Sequence, residues 1–287
     1  MLLCLGVLIA VPCMALTKSD KSVAENENKP LLTVWQIDSF EGGRGSRADY
    51  LNSLGKQFSQ KYNYYVTVTS LSADAVRYNL ENGIMPDAIS YGAGAYGLEA
   101  YVNSYKCWCY GGYCLLTLNG DFSDVSVGNT VINEGKDNLA SACALLTGLS
   151  GAGIEKPTLA YVNLINGTYK YLLGTQRDIF RLKTRQVQFK VKPITEFNDL
   201  YQNISVISSG ERGRGVNGFI DFVIGQSDNV SKIGLFADGV KYDDEMREMQ
   251  NLSYANKITS PISKGAYENL LNVIKSNDIN KLKSLLN

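Results

Sequence analysis

Residues 31–37 have the sequence LLTVWQI, an apolar run with the length of one β-strand. A helix is predicted after it, because SRAD at 46–49 has the form of a capping box and apolar residues then recur at helical spacing. Two further strands are predicted at 64–71 (YYVTVTSL) and 87–91 (DAISY), with a helix at 73–81 between them. This alternation indicates a doubly wound α/β lobe with a mostly parallel sheet, in which ligands bind at the carboxyl ends of the strands.

The remainder of the chain predicts a second lobe and two extended connections. Residues 106–119 (KCWCYGGYCLLTLN) form a long extended run that Gly111 and Gly112 interrupt. QVQFKV at 186–191 alternates apolar and polar residues as a strand does, and Pro193 ends it. Segments near 106–116 and 186–206 are therefore expected to cross between the lobes. Helical spacing predicts helices at 138–146, 158–165, 167–173, 218–224, 267–274 and 277–286.

The composition excludes several classes of function. The 28 Lys and Arg residues are balanced by 28 Asp and Glu residues, so the chain lacks the basic excess that nucleic-acid-binding proteins use. The sequence contains no histidine, which excludes Ser-His-Asp and Cys-His nucleophile systems and histidine-containing zinc sites. The 18 Tyr residues favour binding of a neutral or polar small molecule. No catalytic residue, metal or cofactor is predicted.

The amino-terminal segment predicts export. Residues 1–16 (MLLCLGVLIAVPCMAL) are almost wholly apolar but too few to span a membrane comfortably, so they are interpreted as a signal segment. The polar residues 17–30 are expected to form a flexible tether. The predicted location is the periplasm or the extracellular face of the membrane. Cys13 is a candidate for lipid attachment, and cleavage within 13–15 is the alternative.

Four further cysteines follow, at positions 107, 109, 114 and 143. Their spacing matches no zinc pattern, so no metal site is predicted. An oxidising compartment would permit one disulfide, such as Cys114 to Cys143, and free buried thiols are the alternative.

Several segments resemble one protein family. WQIDSFEGG at 35–43, GSR at 45–47 and PDAISYG at 86–92 resemble the first lobe of extracellular solute-binding proteins of ABC importers. YGGYCLL at 110–116 is similar to the crossing strand of the carbohydrate-type members, and GTQRD at 174–178 continues the likeness.

The resemblance implies an α/β, two-lobe periplasmic-binding-protein type II fold, with a mostly parallel sheet flanked by helices in each lobe and hinge strands between them. It implies lobe 1 at 31–106 and about 198–245, and lobe 2 at 107–197. Residues 246–287 are a candidate addition to lobe 2. The implied partners are a polar small-molecule ligand, a sugar or a related compound, and the permease subunits of an ABC transporter.

Candidate ligand-binding residues in the first lobe lie at the ends of its strands. Asp38 and Glu41 follow the first strand, where carboxylates accept hydrogen bonds from ligand hydroxyl or ammonium groups, although loop capping and solvation are the alternatives. Gly42 and Gly43 allow backbone N–H groups to approach a ligand, or serve turn geometry alone. Tyr91 is a candidate because it follows the third strand.

The remaining candidates lie on or near the crossings. Trp108 and Tyr110 offer aromatic faces for stacking on a sugar ring, and hinge or core packing is the alternative. Arg177 offers a planar fork of donors beside Asp178, and an ion pair between the two is the alternative. Tyr201 is a candidate by its position on the second crossing.

These features predict a binding protein and not an enzyme. Ligand contacts from both lobes would favour a closed state by hinge movement. One alternative is a surface sensor or a degenerate, non-transport binding subunit. A carboxylate-based glycosidase that uses Asp38 or Glu41 is the other, although no motif places a second acid beside either of them.

Overall fold

A computed structural model describes residues 29–37, 47–102, 104–134 and 139–286. The predicted signal segment, Cys13 and nearly all of the predicted tether lie outside the described residues. The four candidates Asp38, Glu41, Gly42 and Gly43 lie outside them as well.

The described residues form two five-stranded sheets, with strand orders β2-β1-β3-β10-β4 and β7-β6-β8-β5-β9. Within the first sheet β10 runs antiparallel to both neighbours, and β5 does so within the second. Four of five strands in each sheet therefore run in one direction, which confirms the predicted pair of α/β lobes with mostly parallel sheets. The strands are β1 (Leu31–Ile37), β2 (Tyr65–Leu71), β3 (Ala88–Gly92), β4 (Lys106–Tyr110), β5 (Tyr113–Thr117), β6 (Thr130–Asn133), β7 (Gly153–Glu155), β8 (Tyr171–Thr175), β9 (Lys190–Pro193) and β10 (Tyr201–Val206).

Helices cover the sheets. No helix in the described ranges is both long enough and apolar enough to cross a membrane. Short 3-10 turns lie at Val127–Asn129 and Ser227–Ile233. The α-helices are α1 (Arg47–Lys61), α2 (Ala73–Glu81), α3 (Ala140–Leu146), α4 (Pro157–Ile165), α5 (Gln176–Thr184), α6 (Gly210–Gly225), α7 (Glu245–Gln250), α8 (Lys264–Lys275) and α9 (Ile279–Leu286).

The first sheet is packed on both faces. Helices α1 and α6 contact each other over one face, where Phe58 meets Phe219 edge to face with ring centroids 5.5 Å apart. Helix α2 covers the other face through Val76 and Leu80, which pack with Ile37 of β1. Helices on both faces explain why all five residues of β3 are buried instead of alternating between buried and exposed.

The prediction of a helix at 167–173 was wrong. Helix α4 ends before Asn166, Gly167 takes a positive φ of 77°, and Tyr171–Thr175 forms β8, a central strand of the second sheet. A short apolar run that is buried on both faces carries no period that separates strand from helix. The short strands β6 and β7 were not predicted, and β9 begins at Lys190, later than expected.

The chain passes between the sheets at Gly111 and Gly112, since β4 belongs to the first sheet and β5 to the second. It returns after β9 and enters β10 at Tyr201. The predicted lobe boundary at 106/107 lies before this passage, because β4 (Lys106–Tyr110) still belongs to the first sheet. Helix α7 contacts α5 and β9, and α8 and α9 contact α3, so the carboxyl-terminal helices pack largely against second-sheet elements.

A buried carboxylate ties the first lobe together. Asp87 accepts hydrogen bonds from the Thr33 backbone N–H at 2.8 Å and from the Thr33 hydroxyl at 2.9 Å. Arg212, in the first turn of α6, pairs with the same carboxylate oxygen at 2.6 Å. Burial opposes ionisation of Asp87, but the hydrogen bonds from Arg212 and Thr33 outweigh it and lower the pKa of the carboxyl.

We expect Asp87→Asn to lower the free energy of unfolding by about 1–2 kcal/mol at neutral pH, because the charged hydrogen bonds to the carboxylate are lost. The loss is no larger because Arg212 is half exposed and solvent screens its ion pair with Asp87. The pKa of Asp87 is lower in the folded state than its unfolded value of about 4, so the ionised carboxylate stabilises the folded protein at pH values above about 4. This stabilisation is lost as the pH falls below that value. The difference between wild type and variant should therefore narrow below about pH 4 in denaturant titrations. An equal difference at all pH values would contradict this role.

Candidate functional site

The carboxyl ends of the parallel strands in both sheets meet at the crossings. Tyr110, the last residue of β4, lies opposite Tyr201, and Gly92 at the end of β3 lies opposite Gln202. In the second sheet Thr175, the last residue of β8, lies opposite Tyr113, where the chain enters β5. The ends of the parallel strands therefore face the junction between the lobes, which is where ligands bind in such sheets.

Backbone hydrogen bonds hold the two crossings side by side. The Gly111 N–H donates to the Leu200 carbonyl at 2.7 Å, and the Asn198 side-chain amide donates to the Gly111 carbonyl at 2.9 Å. A third extended segment joins them, because Asn198 also pairs in parallel with Lys257. The junction is therefore a small three-segment ribbon.

Gln176 fixes the start of α5 to this ribbon. Its buried side-chain carbonyl accepts from the Gly112 N–H at 3.0 Å, while its own backbone N–H donates to the Gly112 carbonyl at 3.1 Å. The side-chain amide also donates to the Gly234 carbonyl at 3.3 Å. One side chain thus joins a second-sheet helix to the first crossing and to the segment that follows α6.

The candidates Arg177 and Asp178 lie in the first turn of α5, and both are buried. Asp178 completes a capping box with Thr175 and accepts from the Asn133 side chain at 2.9 Å. Arg177 donates to the Ile233 carbonyl at 2.8 Å. These contacts hold the helix start in place, and direct ligand binding by either residue stays a prediction.

Asp199 connects both crossings to the start of α3. This fully enclosed carboxylate accepts from the Tyr113 hydroxyl at 2.8 Å and from the Leu139 N–H at 2.9 Å. Burial raises the pKa of Asp199 to about 6, although both hydrogen bonds oppose the shift. A group that titrates near neutrality therefore sits in the junction.

Three of the predicted aromatic residues, Trp108, Tyr110 and Tyr201, line one cavity of about 310 Å³ beside β4. The rings of Tyr110 and Tyr201 stack with centroids 6.0 Å apart. The rest of the lining comes from β4 and the residue before it, from β10 and from later segments: Tyr105, Cys107, Cys109, Asn203, Ile224, Ser227, Ala237, Asp238 and Thr259.

Trp108 is held firmly at this cavity. Its indole N–H donates to the Ser90 hydroxyl at 3.0 Å, and its ring lies parallel to that of Tyr50, with centroids 5.7 Å apart. Ser90 also accepts from the Gln202 amide, whose carbonyl accepts from the buried Arg47 at 2.6 Å. The hydrogen bonds among Ser90, Gln202 and Arg47, together with the stacked Tyr50 ring, therefore fix the position of the indole.

Tyr91 lies in the core of the first lobe and away from solvent. Its ring is fully buried, and its hydroxyl shares a hydrogen bond of 3.1 Å with the Ser205 hydroxyl. Ligand contact by Tyr91 stays a prediction, as it does for the candidates that lie outside the described residues.

Asn203, Asp238 and Thr259 were not predicted as site residues. A signal for Asn203 exists, because it follows Tyr201 by two residues in β10 and strand side chains two apart share a face. Asp238 and Thr259 carry no such signal, since only the tertiary fold brings them beside β4.

None of the four cysteines in the described ranges forms a disulfide, so the pairing of Cys114 with Cys143 is not formed. Burial raises the pKa of both thiols well above the usual range, which keeps them protonated and unreactive. In the described ranges no group of three or more cysteine or acidic side chains is arranged to hold a metal ion.

No protein-family model matches this chain, and no curated protein matches its sequence. Solved structures do match. The spermidine/putrescine ABC transporter substrate-binding protein PotD from Streptococcus pneumoniae is 10% identical, with 86% of this chain and 99% of that chain covered and a TM-score of 0.60. The periplasmic binding protein AfuA from Actinobacillus pleuropneumoniae, with fructose-6-phosphate bound, is 12% identical over 90% and 99%, with a TM-score of 0.54.

A two-component system protein described as mediating signal transduction is also similar, at 12% identity, 85% and 99% coverage and a TM-score of 0.60. These likenesses show that the chain has the predicted type II periplasmic-binding-protein fold. At such identities they show the fold alone.

We expect Gly111→Ala to destabilise the protein by about 1–3 kcal/mol, because its Cβ would overlap the buried Gln176 carbonyl that holds the Gly112 N–H. Gly128→Ala is the matched control, since a Cβ at that position meets nothing within 4 Å. Chemical denaturation of both variants checks the difference. Equal stability of the two would show that the Gln176 contact is readily rearranged.

We expect Asp199→Asn to flatten the dependence of stability on pH. The folded-state pKa of about 6 lies above the unfolded value of about 4, so the folded state binds the proton more tightly. The free energy of unfolding therefore falls as the pH rises through this interval, by roughly 2–3 kcal/mol in total once the pH lies above both pKa values.

Denaturant titrations between about pH 4 and pH 7 measure this effect. Wild type should lose stability relative to Asp199→Asn as the pH rises, while the exposed control Asp228→Asn follows wild type. Parallel curves for wild type and Asp199→Asn would contradict the raised pKa.

Proposed function

We propose that this protein is the solute-binding receptor of an ABC importer, which captures a polar small molecule between its two lobes and presents it to a membrane permease. One observation carries the proposal: the carboxyl ends of the parallel strands in two separate sheets face a common junction. Two structural neighbours support it: a substrate-binding protein of a spermidine/putrescine ABC transporter, and a periplasmic binding protein with fructose-6-phosphate bound.

The junction has the construction that lobe closure requires. Gly111 and Gly112 carry no side chains that obstruct rotation, and the ribbon around them is short. A ligand that contacts both lobes would shift the equilibrium towards the closed arrangement by the difference between its affinities for the closed and the open arrangement. Asp38 and Glu41 follow β1 in the sequence, and we propose them as acceptors for ligand donors.

For the ligand we propose a sugar or a related hydroxyl-rich compound. Carboxylates and aromatic faces together suit such ligands, because hydroxyl groups donate to carboxylates while the sugar ring stacks on an aromatic face. We further propose that residues 1–16 direct export and that Cys13 carries a lipid. The protein would then act at the outer face of the membrane, and catalysis is not part of the proposal.

Thermal unfolding of the protein with a panel of sugars, sugar phosphates, amino acids and polyamines tests the proposal. A ligand at a thousand times its dissociation constant stabilises the folded state by about 4 kcal/mol. For a chain of this size the melting temperature should rise by roughly 8–16 °C. Only one chemical class should give the shift.

Variants locate the ligand. Asp38→Asn and Glu41→Gln should reduce the shift, because under this proposal they remove acceptors for ligand donors. The melting temperature of each ligand-free variant is measured alongside, so that a loss of stability is distinguished from a loss of binding. Asp228→Asn, on the surface of the first lobe, should leave the shift unchanged. No shift from any class, in a protein that unfolds cooperatively, would contradict the proposal.

A surface sensor is the second candidate, favoured by the structural likeness to a signal-transduction protein. Both candidates bind a ligand, so thermal shifts do not separate them. Uptake of the labelled ligand by cells that lack this protein does: a receptor is needed for uptake, and a sensor is not. Release of product from a glycoside would instead favour a glycosidase.

A further inference from the structure

The cavity beside β4 contains an acceptor without a partner. Asn203 is completely buried, and its side-chain N–H donates to the Thr259 carbonyl at 3.0 Å. That bond fixes the orientation of the amide, since a carbonyl can only accept. The Asn203 carbonyl oxygen then has no hydrogen-bond partner, although buried polar atoms nearly always find one. A donor from a ligand would satisfy it.

The same cavity carries a negative charge that the described residues do not compensate. Asp238 belongs to its lining, is exposed, and makes no hydrogen bond or ion pair with any described residue. No Lys or Arg is among the described residues that line the cavity. Burial and the neighbouring Asp238 carboxylate together raise the pKa of Tyr110 to about 12, so its hydroxyl stays neutral.

Aromatic rings form the other part of the lining. Tyr110 and Tyr201 stack on each other, and Tyr105 is exposed at the cavity. The faces of such rings attract cations, and they also cover the apolar part of a ligand. A volume of about 310 Å³ suits a small organic molecule.

We propose that this cavity binds a small organic ammonium ion, with an N–H group donating to the Asn203 carbonyl, its charge near Asp238 and its apolar body against the tyrosine rings. An anion would meet Asp238 with no cation to balance it. A neutral alcohol would satisfy Asn203 but would gain nothing from the carboxylate. The ammonium class is the one that uses all three features.

This site lies beside the junction that receives the solute under the proposed function, and the two share Tyr110 and Tyr201. Its lining comes from β4, β10, the end of α6 and later segments, and includes no strand of the second sheet. Because Tyr110 and Tyr201 lie where the chain leaves and re-enters the first sheet, an occupant would contact the hinge itself. Occupancy of this cavity and capture of a solute have separate readouts, so either can fail without the other.

Titration with n-butylammonium, followed by the indole N–H signals in NMR spectra, tests the site directly. The chain has two Trp residues, and Trp35→Phe assigns the signal of Trp108. We expect the Trp108 signal to shift and saturate with one site below about 10 mM, while 1-butanol of the same size gives a much smaller shift.

Two acidic variants with the same change in net charge identify the carboxylate. Asp238→Asn should weaken n-butylammonium binding by about tenfold, since a charge-assisted contact is lost. Asp243→Asn changes an exposed residue that does not line the cavity, and should leave the affinity unchanged. Asn203→Leu, checked for folding by circular dichroism, should abolish saturable binding.

Three results would overturn the inference: no saturable shift of Trp108, equal binding of 1-butanol, or equal weakening by the two aspartate variants. If a solute raises the melting temperature while n-butylammonium leaves Trp108 unshifted, only this inference fails. If n-butylammonium binds and no solute in the panel stabilises the protein, only the proposed function fails.

Discussion

The Gln176 amide is the contact on which the arrangement of the two lobes depends. Its buried carbonyl and amide bond to backbone groups of the first crossing and of the segment after α6, and its own N–H returns to Gly112. Gly111 must lack a Cβ for this amide to fit, since any side chain there would overlap the Gln176 carbonyl. A single side chain therefore sets both the start of α5 and the course of the crossing.

Around this contact the junction is polar and buried, and its buried charged groups Asp199, Asp178 and Arg177 all have hydrogen-bond partners. Asp199 accepts from Tyr113 and Leu139, Asp178 caps α5, and Arg177 donates to a carbonyl beyond α6. In a buried polar network, breaking one hydrogen bond leaves an unpaired polar group in a medium of low dielectric constant. The free-energy cost of that group exceeds the net stabilisation that the hydrogen bond had provided. Movement of the lobes would thus favour discrete arrangements over gradual bending.

The cavity beside β4 departs from this pattern. There Asn203 keeps an unused acceptor and Asp238 keeps an uncompensated charge, while Trp108 is held from behind by Ser90 and Tyr50. An unpartnered buried acceptor that lines the same cavity as an uncompensated carboxylate is more informative about ligands than the aromatic residues beside them. Aromatic side chains pack in cores as readily as they bind ligands.

Local pattern by itself determined the alternation of strands and helices and the crossing at Gly111 and Gly112. It also determined the aromatic candidates Trp108, Tyr110 and Tyr201. These features depend on apolar period and glycine placement, which are properties of neighbouring residues. Only the tertiary structure decided that Tyr171–Thr175 is a strand, since a fully buried apolar run has no period of its own. It alone brought Asp238 and Thr259 to β4, because contacts between residues far apart in the chain follow from packing and not from spacing.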